Sequence, residues 1–117
     1  MALLVTTGFL TACSNDDAAK AELNGILACS MAAKLVGRAD QIDLFAQQGN
    51  IVAARTDYEL TAEVAGKMHA DIKAKWNLKS LSRHDQDVLL VDVYNSKTCA
   101  AVHHSRPITI ADVPPDA

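Results

Sequence analysis

The side chains able to do chemistry in this chain are few and scattered. There are four histidines, of which His103 and His104 are adjacent while His69 and His84 stand apart. Neighbouring residues on a helix point about 100° apart, so the adjacent pair cannot grip one ion as an i, i+4 pair does. A metal centre would require His69, His84 or a carboxylate to converge on that pair, and no spacing in the sequence brings them there. Imidazoles at such a position suit the last carbonyls and the negative end of a helix dipole instead. No metal or cofactor is therefore assigned. Nucleophilic catalysis finds equally little footing: Cys29 has no neighbouring base, Cys29 and Cys99 do not form a C-x-x-C motif, and no G-x-S-x-G elbow is present. Glu59 and Glu63 are spaced to share a helix face, and Asp85 and Gln86 sit among other polar groups. Charges so placed form the solvated side of an amphipathic helix. The chain reads as a non-enzyme, with no catalytic residue. Trp76, the single tryptophan, reads either as core or as an interface anchor, tryptophan being enriched at binding hot spots.

The third cysteine stands in a different setting. An uncharged apolar run from Ala2 to Ala12 ends in Leu10-Thr11-Ala12-Cys13, and the chain then turns polar at Ser14-Asn15-Asp16-Asp17. The run has the length of a signal-peptide apolar region and is too short to span a bilayer. Leu10-Thr11-Ala12-Cys13 resembles the lipobox of bacterial lipoprotein precursors; unlike the usual pattern, no Lys or Arg precedes the apolar run. The resemblance implies that residues 1–12 are a signal peptide and that Cys13 becomes the first residue and carries lipid. It further implies a location on the periplasmic face of a membrane, to which the chain is tied by more than one acyl chain, enough for stable anchoring. In enteric members of the family, Asp after the lipidated cysteine favours inner-membrane retention; Ser14 in its place leans towards the outer membrane. With Cys13 committed to lipid, Cys29 and Cys99 are left as an even pair, which in an oxidising compartment reads as a disulfide. The alternative is two buried thiols acting as small hydrophobes.

Composition bounds what carries these residues. About a hundred residues after position 12 suffice for one domain with a modest core. Many of the apolar residues are alanines and only 4% of the chain is aromatic, which favours close-packed helices over a sheet. The formal net charge of −3, with Lys and Arg dispersed, offers no basic footprint for nucleic acid.

The pattern predicts an all-α fold, a bundle of three or four helices with one disulfide between the first and last. Residues 13–17 read as a tether, residues 18–104 as the helical domain. The first helix runs from Ala18 to Val36 with Leu23, Leu27, Met31 and Leu35 in one row, and Gly37 stops it. A shorter helix follows from a cap at Asp40 through Ile42, Leu44 and Phe45 to Gly49-Asn50. A third begins at a capping box, Thr56-Asp57-Tyr58-Glu59, and carries Leu60, Val64, Met68, Ile72 and Trp76, four apart throughout. Glu63–Lys67 and Asp71–Lys75 are spaced as helix-surface pairs, and Gly66 marks close approach of a neighbouring helix. The fourth element spans about His84 to His103, capped near Ser82. Its β-branched Val88–Tyr94 stretch fits a helix face better than strand alternation. Pro107 and Pro114-Pro115 make residues 105–117 an extended or disordered tail, in which Ile108-Thr109-Ile110 alternates like a short strand.

The functional expectation is a small, non-enzymatic envelope lipoprotein that acts by binding another envelope protein, an inhibitor or immunity protein being one form of it. Two alternatives are a periplasmic protein that binds a small ligand or metal between its helices, and a structural lipoprotein of an envelope assembly.

Overall fold

Alanine and leucine, both good helix formers, are the commonest residues in the first third of the chain, and in the computed structural model this stretch builds one long helix. The structure describes residues 2–115, with side chains from Asp16 onward. Helix α1 (Ala2–Leu35) is followed by α2 (Ile42–Thr56), α3 (Ala62–Trp76), α4 (Arg83–Tyr94) and α5 (Lys97–His103), with short 3-10 turns at Ala39–Gln41, Leu78–Ser80 and Ile110–Asp112. No strand occurs among the described residues. The fold is all-α, and α1 is its axis, packing against each of α2, α3, α4 and α5. At 1.5 Å per residue a helix of 34 residues is about 51 Å long, which explains the 60 Å long axis of the molecule. The helix is unbroken across residues 13–17, read from sequence as a tether. Cys13 lies outside the residues whose side chains are described. No described helix is long and apolar enough to cross a membrane.

One face of α1 is sealed by its neighbours. Leu23, Ile26, Cys29, Ala32, Ala33 and Val36 are buried, with Leu27 and Leu35 half-buried beside them. Alanine at 32 and 33 lets the other helices come close. Cys29 forms a disulfide with Cys99, tying α1 to α5 across 70 residues of sequence, with both cysteines 1% exposed. Closing a loop of that length stabilises a fold by about 4 kcal/mol on the chain-entropy account. The rest of the core is Phe45 and Val52 from α2, Met68 from α3, and Leu90, Val91 and Tyr94 from α4.

Several element ends differ from the sequence expectation. Gly49 does not stop α2. It is buried on the same side as Phe45 and Val52, and the gain from burying Val52 in a longer helix outweighs the intrinsic cost of a helical glycine, about 1 kcal/mol. Thr56 is consequently the last residue of α2, and its hydroxyl donates back to the Val52 carbonyl at 2.7 Å. The cap of α3 is Thr61, whose Oγ1 accepts from the Val64 amide at 3.1 Å. Glu59 therefore lies outside the helix that carries Glu63. At the second helix, the turn Ala39–Gln41 is 3-10 and Asp40 makes no cap hydrogen bond. The fourth element is two helices: Ser96 accepts from the Cys99 amide and begins α5, turning Cys99 and His103 inward. Ion pairs among the described residues are Arg55–Glu22 and Arg83–Asp87; Glu63–Lys67 and Asp71–Lys75 do not close. Gly66 meets no atom within 4 Å of where a Cβ would stand, so no helix approaches it.

The C-terminal segment is fastened to the core. Asn95 donates from Nδ2 to the Ile108 carbonyl at 2.8 Å and accepts from the Ile108 amide at 2.9 Å, a two-point clamp on extended backbone. Ile108 and Val113 are buried in the core, and Arg83 donates to the Pro114 and Pro115 carbonyls. Pro114 lies against Gly37, whose φ is +83° and where a Cβ would fall 2.7 Å from the Pro114 Cγ. The segment forms no α-helix, but it is not wholly extended, since Ile110–Asp112 makes a 3-10 turn, and its prolines do not keep it from packing.

Candidate functional site

The four histidines are kept apart. His69 is exposed on α3, His84 is exposed in the first turn of α4, and His104 is exposed beyond α5, while His103 is buried at 7% exposure. Among the described residues no group of three or more His, Cys, Asp or Glu is placed to hold a metal ion.

His103 belongs to the scaffold. The Ser105 amide donates to its Nδ1 at 2.8 Å, so that nitrogen is unprotonated; the other ring nitrogen, Nε2, then donates to the Tyr94 carbonyl at 3.0 Å. The ring stacks on Tyr94, centroids 4.3 Å apart, and meets Phe45 edge-on at 6.2 Å. Tyr94 Oη donates to Gln41 Oε1 at 2.6 Å, Gln41 Nε2 donates to Ser105 Oγ at 3.0 Å, and Ser105 Oγ donates to the His103 carbonyl at 3.2 Å. The result is a closed polar ring joining the turn before α2 to α4 and the end of α5. No buried side-chain polar atom among the described residues lacks a partner. Both imidazole nitrogens are used, leaving His103 neither a base nor a ligand. Sequence reading placed the two histidines at a helix end but missed that one of them is core, because its partners Gln41 and Tyr94 are distant in sequence.

Two concavities flank α1. The smaller, about 230 Å³, lies between α1, α2 and α3, with Leu23, Ile26, Phe45 and Met68 among its walls, and it presents no charged side chain. The larger, about 430 Å³, lies where α1 and α3 both end. Its apolar wall is Met31 and Leu35 from α1, Trp76 from the last turn of α3, and Leu78 from the turn beyond. Its rim carries Lys34, Lys73 and Lys79, with His69 at one end and no acidic residue.

Local chemistry builds this groove. His69, Lys73 and Trp76 are spaced four and three apart, so they share one face of α3. Asn77 ends that helix in the left-handed conformation at φ +46° and ψ +53°, a conformation asparagine tolerates better than most residues. The next turn is pinned by Gln86, whose Nε2 donates to the Leu78 and Leu81 carbonyls at 2.8 and 3.1 Å. That bond sets Leu78 and Lys79 beside Trp76. Trp76 is half-buried: its place is the groove wall, between the core and interface readings. Elsewhere, the large apolar side chains left most open are Leu44 and Ile51 on α2, 42% and 56% exposed, seven residues apart and so on one helix face.

Comparison with protein-family models, with curated proteins and with solved structures gives no match for this chain.

Proposed function

We propose that this chain is a lipid-anchored protein of the bacterial envelope that works by binding another envelope protein, without catalysis. The observation that carries the reading is the tetrapeptide Leu10-Thr11-Ala12-Cys13 at the end of an apolar run. A buried disulfide between α1 and α5 supports it, because such bonds persist in oxidising compartments and are rare where thiols are kept reduced. Leu44 and Ile51, on one face of α2, are the apolar side chains a protein partner would cover. An outer-membrane position is favoured by Ser14, and an inhibitory or immunity role suits a small rigid body presented at a membrane.

The test is metabolic labelling with radioactive palmitate during expression of the full chain in a bacterial host. The wild-type chain incorporates label and sediments with membranes; Cys13→Ala does neither. Label retained by Cys13→Ala, or absent from the wild type, contradicts the anchor. Binding is tested by crosslinking from the membrane-bound protein: recovery of the same envelope protein, lost with Leu44→Glu/Ile51→Glu, supports contact through α2, and recovery unaffected by that pair rejects it.

A further inference from the structure

We infer that the groove at the ends of α1 and α3 is a binding site for a small amphiphile with an oxyanion head and an apolar tail. Three features select this chemistry. The volume of about 430 Å³ falls within the range of small-molecule pockets, roughly 300–1,000 Å³, whereas the 230 Å³ cleft falls short of it. The apolar part of the lining is Met31, Leu35, Trp76 and Leu78, side chains that suit an aliphatic or aromatic tail. The rim bears Lys34, Lys73 and Lys79 with no acid among the lining residues, in a chain whose formal charge is −3. None of these lysines is in an ion pair among the described residues.

The simplest other role for the lysines is to complement the two helix C-termini beneath them, each worth about half a negative charge. Three full charges exceed that requirement, and Lys79 lies past the end of α3 altogether. The surplus is available to a carboxylate or phosphate.

Trp76, as the single indole, reports on the site directly. The experiment uses the full chain bearing Cys13→Ser, so that it does not depend on lipidation, and follows Trp76 emission during titration with monomeric dodecanoate. A saturable change in emission is expected, with dodecyl phosphate acting likewise and dodecyltrimethylammonium, of equal tail length, without effect. The relative affinities of the first two identify the preferred head. The triple variant Lys34→Gln/Lys73→Gln/Lys79→Gln, its substitutions all on exposed side chains, keeps its melting temperature and loses about tenfold or more in affinity, as expected when charge-assisted contacts are removed. Equal responses to the cationic and anionic amphiphiles, an undiminished response in the triple variant, or no response to either oxyanion would overturn the assignment. So would a response confined to vesicles of anionic lipid, which would mark a membrane-facing surface in place of a pocket. Failure of palmitate labelling with dodecanoate binding intact would reject the anchor and leave the groove standing.

Discussion

His103 is a residue of catalytic type that the fold uses structurally. A backbone amide at Nδ1 and a carbonyl at Nε2 commit both nitrogens, and the Tyr94 stack commits the ring face. Removing it strands the Ser105 amide and the Tyr94 carbonyl and opens a cavity, so His103→Ala is expected to lose about 2–4 kcal/mol in denaturant unfolding. The exposed His84→Ala should stay within about 0.5 kcal/mol. Two glycines give opposite outcomes. Gly66 is helical, exposed and free of neighbours, so Gly66→Ala should stabilise by about 0.5–1 kcal/mol through reduced unfolded-state entropy. Gly37 has a positive φ and Pro114 against it, so Gly37→Ala should destabilise by more than about 1 kcal/mol, exceeding the gain at Gly66 and opposite in sign. Gly37 was legible as a helix stop, for glycine there has one local meaning. Gly66 was misread, because a glycine within a helix looks the same in sequence whether a neighbour crowds it or nothing does.

Helices were recoverable from the sequence as elements, but their ends were not. Of the row Leu60, Val64, Met68, Ile72 and Trp76, the last four lie on α3 and are buried or half-buried, since period four is a local property, whereas Leu60 precedes the helix. The choice of Thr61 over Thr56 as the cap was decided by burial of Phe45, Gly49 and Val52 along a longer α2, which no local pattern encodes. The division between α4 and α5 did leave a signal, Asn95-Ser96 with an amide three residues on to cap, hidden inside an apolar periodicity that continues across it. The tail shows the same limit: proline predicted its extended backbone, while its attachment depends on Asn95 and Arg83. Asn95→Ala should remove both bonds to Ile108. Amide exchange is then expected to lose protection over residues 105–115 while the α1–α4 core keeps it; unchanged protection in the tail would show that Ile108 and Val113 hold it by burial alone.

For the molecule as a whole, a small core is assisted by one covalent link between its central helix and its last. Reduction, or Cys29→Ser/Cys99→Ser, should lower stability by about 2–4 kcal/mol, read as a fall of roughly 8–32 °C in melting temperature at about 4–8 °C per kcal/mol. The fold class and the Cys29–Cys99 pair followed from composition and from setting Cys13 aside; the groove did not, because its walls come from α1, α3 and the turn Gln86 holds. The proposal that this body is displayed at a membrane rests on Cys13. Intact mass measurement of the protein extracted from bacterial membranes, alkylated without reductant, tests that proposal most directly. The expected species is a chain beginning at Cys13, heavier than residues 13–117 by the attached lipid, with no alkyl group on Cys29 or Cys99. An unprocessed chain of residues 1–117 bearing alkyl groups on all three cysteines would contradict it.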